Sequence, residues 1–393
     1  MRQLVTTFVV LAALLVPLRP AAAGPALLFE ADTGRVYYAE NADHQWYPAS
    51  LTKVMTAYVT FAALKAGKIT LDSKLVTSEL AFNEPPSKVG LPVGGEMSVE
   101  LALKTLIVKS ANDVAVMLAE GVSGSVENFV GEMNATARRL GMTRTNFVNP
   151  HGLPAPEQVT TARDLAILSR AVVRDFPEFA EYWSMPDVRI GKRRLGSHNS
   201  LLRTYDGADG LKTGFICDAG FNVVASATRD GRRLMAVVLG EPSGYERALR
   251  AAALLDHGFQ VQGWKQLFNT ATINTMPIAA DIQGPVSVRE SVVSWDCGGR
   301  ARARAVAKAR SEQKKARVAA REKAKAEGQG SATAETKAQP VATQPATTPP
   351  ATKAPARKAE TPAATTPAPA KAAPAPKPKS AEAPAPAPAT KNP

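Results

Sequence analysis

The chain has little cysteine and little histidine, and its last quarter has no aromatic residue. Of 393 residues, two are cysteine and four are histidine. Cys217 and Cys297 are too few for a disulfide framework. Export would permit a bond between them, but two unpaired thiols is the reading adopted. Neither cysteine has metal-like partners nearby, and His44, His151, His198 and His257 are scattered. No repeat of solenoid type is present. The apolar run Leu4 to Leu18 is short and broken by Thr6, Thr7 and Pro17, which argues against a membrane-spanning helix. With Arg2 before it and Ala21-Ala22-Ala23 after it, the run reads as a secretory leader cleaved after Ala23. An uncleaved anchor is the alternative. The expected location is the periplasm or cell envelope, with membrane association left open.

Charge is distributed as unevenly as the aromatics. Residues 300–393 hold 19 Lys and Arg against 6 Asp and Glu, 15 of the 30 prolines, and no Phe, Trp or Tyr. The remainder carries 29 basic and 29 acidic residues, so the net charge of +13 belongs to the tail. A tail of this composition buries too little apolar surface to offset chain entropy and is expected to be disordered. The organisation expected is a leader over 1–23, a catalytic domain over 24–262, a short extension of unknown fold over 263–299, and the basic tail over 300–393.

What is present is a periodic globular region. Ala26 to Phe29 and Arg35 to Tyr38 read as strands around the turn Asp32-Thr33-Gly34. Val54, Met55, Tyr58, Phe61 and Ala62 recur at helical spacing up to Gly67, which puts Ser50 at a helix start. Leu101 to Ala119 reads as helical, with Ser110 to Asn112 inside it or at a break. Val126 to Leu140 and Thr161 to Val173 read as further helices. Gly220 to Ala227 and Leu234 to Leu239 read as strands around Arg229-Asp230-Gly231, and Arg247 to Leu255 as a closing helix. Ile273 to Ile282 and Val286 to Val293 read as short strands. The pattern predicts an α+β fold, with an antiparallel sheet built from both chain ends and a helical insertion.

Three short motifs carry chemistry in this frame. Ser50 precedes Lys53 by three residues, so a helix places both on one face. A serine hydroxyl is a weak nucleophile and needs a base. Lys53 serves only if burial and a nearby cation, with Lys212 the candidate, depress its pKa. Ser110 can pass a proton to a leaving amine, and Asn112 can hold a carbonyl and orient Lys53. Lys212 and Thr213 can hold a carboxylate. Gly214 removes a Cβ where substrate lies against a strand edge. No metal or organic cofactor is required. Each motif alone is weak: Ser311-Glu312-Gln313-Lys314 repeats the first and Ser197-His198-Asn199 the second. Only Ser50, Ser110 and Lys212 combine order with context.

In these residues the chain resembles the D-alanyl-D-alanine carboxypeptidases, the low-molecular-mass penicillin-binding proteins. The likeness runs from about Ala26 to Phe259. It includes Tyr47-Pro48-Ala49-Ser50-Leu51-Thr52-Lys53, Asn149-Pro150-His151-Gly152-Leu153, Asp209-Gly210-Leu211-Lys212-Thr213-Gly214 and Ala219-Gly220-Phe221-Asn222. The resemblance implies the penicilloyl-serine transferase fold. It implies attack by Ser50 on the D-Ala-D-Ala bond of the peptidoglycan stem peptide, and acylation by β-lactams as inhibitors. It assigns the oxyanion hole to the N–H groups of Ser50 and Phe215, and the substrate carboxylate to Arg247. The chain departs from the family at Phe215-Ile216-Cys217-Asp218, where the family commonly has an aromatic or His and then Thr; the lost hydroxyl and the added carboxylate are expected to bear on substrate preference.

Other readings compete with this one. A class A β-lactamase shares the motifs but needs a carboxylate for its deacylating water, and Asn146 to Pro150 has none. Slow release of penicillin is therefore expected. A D,D-endopeptidase would use the same residues on cross-links. A non-catalytic wall-binding protein would use the tail, whose charge suits an anionic envelope surface. Export makes nucleic acid an unsuitable partner.

Overall fold

A computed structural model describes residues 24–261, 271–294 and 297. The expected leader, the basic tail and the second S-x-x-K motif lie outside the described residues. In chain order the elements are β1 (Ala26–Glu30), β2 (Val36–Glu40), a 3-10 turn (Ala49–Leu51) and α1 (Thr52–Lys65). There follow β3 (Lys74–Val76), α2 (Glu79–Asn83), β4 (Glu96–Ser98), α3 (Val99–Val108), α4 (Asn112–Ser123), α5 (Val126–Leu140) and α6 (Ala162–Asp175). After a second 3-10 turn (Pro177–Phe179) and α7 (Ala180–Ser184) come the hairpin β5 (Asp187–Ile190) and β6 (Arg193–Gly196), then α8 (Leu201–Thr204), β7 (Ala208–Ile216), β8 (Gly220–Arg229), β9 (Arg232–Glu241) and α9 (Gly244–Gln260).

The main sheet has the order β2-β1-β9-β8-β7 and is antiparallel throughout. It is built from both ends of the domain, as the apolar runs predicted. Side chains alternate across a strand, and here both faces are covered. Leu27, Phe29, Val224, Met235 and Val237 face the helical core. Leu28, Val223, Ala225, Ala236 and Val238 pack with Leu254 and Leu255 of α9. That double burial is why β8 and β9 read as continuous apolar runs instead of alternating ones. β7 is an edge strand, so it keeps one side free.

α1 is buried nearly all round, from Thr52 to Phe61, as expected of a helix inside a core. Its Phe61 stacks on Phe179 with ring centroids 4.2 Å apart. The helical insertion is delimited by side-chain caps: Ser98, Ser125 and Thr161 each accept from a backbone N–H three residues on. The break between α3 and α4 is sharp. Ser110 adopts φ +61°, in the left-handed region that non-glycine residues rarely occupy.

Two expectations fail beyond α9. Residues 271–294 form no strand beyond one isolated bridge, Arg35 to Thr272. Pro277 and Pro285 remove donors a ladder would need, and three of the segment's carbonyls are taken by a side chain. Arg163, paired with Asp43, donates to the carbonyls of Ile273, Met276 and Pro277. The segment is a strap that crosses the domain surface. The cysteines are not free thiols: Cys217 and Cys297 form a disulfide with Cα atoms 5.4 Å apart. The strap brings Cys297 back beside the end of β7, and the separation of 80 residues hid this in the sequence.

Candidate active site

The 3-10 turn Ala49–Leu51 presents Ser50 where α1, β7 and the loop after α5 meet. The turn is gripped on two sides. A Cβ on Gly214 would stand 3.0 Å from Pro48 O and 3.1 Å from Ser50 N. A Cβ on Gly152 would overlap Ala49 O. The missing side chain at Gly214 therefore seats the nucleophile turn against β7. Gly214 also lines the cleft, where the sequence reading set substrate against the strand edge.

Lys53 is fully buried, 1% exposed. Its Nζ lies 2.7 Å from Asn112 Oδ1, 2.7 Å from His151 O and 3.0 Å from Ser50 Oγ. Asn112 Oδ1 and the carbonyl can only accept. A neutral amine gives its two N–H groups to them, and its lone pair is then left for the Ser50 hydroxyl. Burial and the positive charge of Lys212 push the Lys53 pKa well below the ordinary lysine range, against the opposing pull of Glu84 and Asp113. Lys212 is also buried. Desolvation and Arg247 bring it down to about 7. Its Nζ donates to Ser110 Oγ at 2.9 Å and to Thr213 O at 3.0 Å. The charge of Lys212 thus reaches the cleft through Ser110.

These groups border a cleft of about 360 Å³ lined by Ser50, Ser110, Asn112, Thr213, Phe215 and Arg247 among others. Arg247, on the first turn of α9, is 7% exposed and donates to His198 O at 3.2 Å. Desolvation lowers its pKa to about 10. Among the described residues no carboxylate pairs with it. A buried guanidinium without a counter-ion at a cleft wall is costly unless an anion arrives.

The structure thus brings all nine candidate residues together, with Lys53 and Lys212 behind the cleft wall and the others on it. It also adds residues that the sequence reading missed. His151 Nε2 lies 3.3 Å from Glu84 Oε1, and the His151 carbonyl holds Lys53. Asp113 accepts from Val89 N and Gly90 N, which ties the loop after α2 to the start of α4. His198 lines the cleft and Asn199 Nδ2 donates to Gly210 O at 3.0 Å. The Ser197-His198-Asn199 triplet, set aside as a stray motif, therefore supports β7. The Asp218 carboxylate is not offered to substrate: Ser287 and Arg289 bind it.

A serine with a buried, lone-pair-directed lysine, set between a helical insertion and the edge of an antiparallel sheet, defines the penicilloyl-serine transferase fold. The peptidase S11 family, described as D-alanyl-D-alanine carboxypeptidase, matches residues 16–243, and the chain belongs to it. The chain is 41% identical over 239 residues to D-alanyl-D-alanine carboxypeptidase DacA of Haemophilus influenzae, covering 59% of this chain and 61% of that one. It is 40% identical over 241 residues to DacC of Escherichia coli, covering 60% of each. It thus spans about three fifths of the length of these curated relatives. Among solved structures, penicillin binding protein 5 from Haemophilus influenzae superposes with TM-score 0.59 at 40% identity, covering 60% of this chain and 70% of that one. Penicillin-binding protein D2 from Listeria monocytogenes in its cefotaxime-bound form gives TM-score 0.56 at 34% identity, covering 61% and 97%.

Proposed function

We propose that this chain is a serine-type D-Ala-D-Ala carboxypeptidase that removes the terminal D-Ala from peptidoglycan stem peptides through an acyl-Ser50 intermediate. The observation that carries the reading is the Lys53 amine, buried and caged so that only its lone pair is left for Ser50. Family membership supports the substrate class, and the β-lactam-bound relative supports acylation by the same inhibitors.

The steps follow from the geometry. Ser50 Oγ attacks the scissile carbonyl as its proton passes to Lys53. The N–H groups of Ser50 and Phe215 take the developing oxyanion, and β7, as an edge strand, accepts the peptide as a further strand. Ser110 gives its proton to the leaving amine and regains one from Lys212. Thr213 and Arg247 bind the terminal carboxylate, which meets the unpaired guanidinium. As the amine departs, Lys53 gives up its proton to water in the cleft and Lys212 regains one from it, so both lysines return to their starting charge. Water then attacks the acyl ester, its proton goes to Lys53, and Lys53 passes it to the departing Ser50 Oγ. The mature chain is exported, and its basic tail rests on anionic envelope polymer.

The test is the intact mass of the full mature chain after benzylpenicillin, beside Ser50→Ala, with release of D-Ala from a stem pentapeptide followed in parallel. A stable adduct and D-Ala release, both lost in Ser50→Ala, are expected. An unmodified wild type with intact penicillin would overturn the reading. For the tail, a chain ending at Gly299 should leave envelope fractions at lower salt than the full chain; equal retention at every salt concentration would end that idea.

A further inference from the structure

β7 ends inside the cleft. Phe215 and Ile216 line it, and the chain turns at once through Cys217, Asp218 and Ala219 into β8. An edge strand has one neighbour to hold it, and strand ends are where local opening is easiest. Here the turn is held from outside by the strap. Cys217 is bonded to Cys297. Val288 N donates to Asp218 O at 3.0 Å. Arg289 grips the Asp218 carboxylate with two N–H groups, at 3.1 and 2.8 Å, and Ser287 Oγ adds a third bond at 2.6 Å. A Cβ on Gly220 would lie 3.1 Å from Val288 Cγ2, so the strap side chain is pressed to the backbone there. Further on, Val293 N donates to Pro242 O, just before α9 begins.

The other end of the strap is secured independently. Ile273 is 1% exposed, and Arg163 and Asp43 hold the backbone from Ile273 to Ala279. Loss of the disulfide therefore removes the covalent tie at the end of the strap, leaves hydrogen bonds from Ser287, Val288, Arg289 and Val293 to hold that end, and does not unseat the rest. Cys217 and Cys297 are both partly open to solvent, within reach of a soluble reductant. The strap lies outside the 16–243 span that matches the family.

We infer that the strap is a disulfide-closed clamp on the oxyanion strand: Cys217, Asp218 and Arg289 position Phe215 for acylation, and opening the disulfide slows that step. The inference rests on the acyl-Ser50 reading above. The redox step is ordinary exchange. An external dithiol supplies two electrons and two protons, the Cys217–Cys297 bond becomes two thiols, and the dithiol closes to its own disulfide. The effect falls on rate because an oxyanion donor acts on the tetrahedral state and not on the bound ground state. These are positioning residues, since none touches the reacting atoms.

The experiment is stopped-flow acylation of the full mature chain by a fluorescent penicillin. Three forms are compared: oxidised wild type, wild type reduced by a dithiol that is removed before mixing, and Cys217→Ser/Cys297→Ser. Arg289→Ala tests the non-covalent half with the disulfide intact. The expected result is an acylation rate constant about tenfold lower in the reduced and double-serine proteins, less than the complete loss of an oxyanion donor would give. The pre-covalent dissociation constant and the labelled fraction should stay unchanged, and re-oxidation should restore only the wild type. A staple that merely stabilises the fold would lower the labelled fraction and leave the rate constant alone; that outcome overturns the inference. So does an identical rate in all three forms. An oxidised wild type that is never acylated would instead sink the acyl-serine reading itself.

Discussion

At its Lys212 end, β7 is held by burial: Lys212 is 2% exposed, its ammonium ends on Ser110, and Gly214 is packed against the nucleophile turn. At its Cys217 end, five residues on, the strand is held by a disulfide and by an ion pair in which Arg289 is half exposed. Burial is what lowers the pKa of Lys53 and Lys212, so the first end cannot be loosened without losing the chemistry. The second end acts on geometry alone. It can be loosened by degrees, from solvent, while the lysines stay dry. One strand thus joins a part that tolerates no adjustment to a part open to it.

The largest effect that would sharpen this contrast comes from Lys53→Met. The side chain keeps the volume and removes the base, so acylation should fall by about 10²–10⁴-fold. Stability should change little, because the relief of a buried amine is set against Asn112 Oδ1 and His151 O losing their donor. Stopped-flow acylation and urea unfolding measure the two separately. A variant retaining acylation within tenfold would take away the role of Lys53 as base.

Arg247→Ala comes next. The guanidinium has no carboxylate partner among the described residues, so its removal leaves no orphaned acid behind. Charged hydrogen bonds contribute about 1.5–3 kcal/mol, which predicts a fall of about 10–150-fold in kcat/KM for stem peptide. A substrate whose terminal carboxylate is converted to an amide should lose far less on the same substitution. Equal losses on the two substrates would mean that Arg247 supports the wall and does not read the carboxylate.

The pH profile probes the coupling between the two lysines. The positive charge of Lys212 helps depress Lys53. Lys212→Met should therefore raise the Lys53 pKa and move the ascending limb of the acylation profile to higher pH. Stability follows from the sign of the Lys212 shift. Its pKa is lowered from 10.5 to about 7 in the native state. Between those values the unfolded chain binds a proton the native chain does not, so stability rises with pH across that window. In Lys212→Met this rise should flatten. Denaturant unfolding between pH 7 and pH 10 reads it, and an unchanged slope would mean that Lys212 is protonated throughout.

Much of the Lys212 end was legible in the sequence. Ser50, Lys53, Ser110, Asn112 and Lys212 fall at spacings that only a helix start, a helix break and a strand make useful, and the apolar runs gave those elements. That the sheet draws on both chain ends followed from two runs at each end, whereas its strand order came only with the fold. The Cys217 end was not legible, because nothing local marks a contact 80 residues away. Two cysteines carry no pairing information beyond their number. Asp218 beside the cleft looked like a substrate contact because a sequence does not show which carboxylates are already bound. Ile273 to Ile282 looked like strand because apolar content signals burial, but here Ile273 is buried while Ile278 is exposed, and Arg163 takes backbone carbonyls in place of a ladder. Glu84 and His151, 67 positions apart by number, meet only in the fold.

The smallest expected effect is the most informative about the clamp. Arg289→Ala with the disulfide intact removes an exposed pair, and exposed pairs contribute little alone. Acylation should slow by no more than about twofold. High salt should slow the wild type in the same direction, because a pair open to solvent is screened. The two holds act on the same turn, so their effects should not add. With the disulfide in place, Asp218 stays near the strap whatever Arg289 does. With it opened, Arg289 shares the tie between strap and turn only with the hydrogen bonds from Ser287 and Val288. Arg289→Ala should then cost more in the Cys217→Ser/Cys297→Ser background than in the wild type, which a double-mutant cycle on the acylation rate measures directly. If the two changes simply add, the disulfide and the ion pair hold different things, and the Cys217 end of β7 is not one clamp but two unrelated contacts.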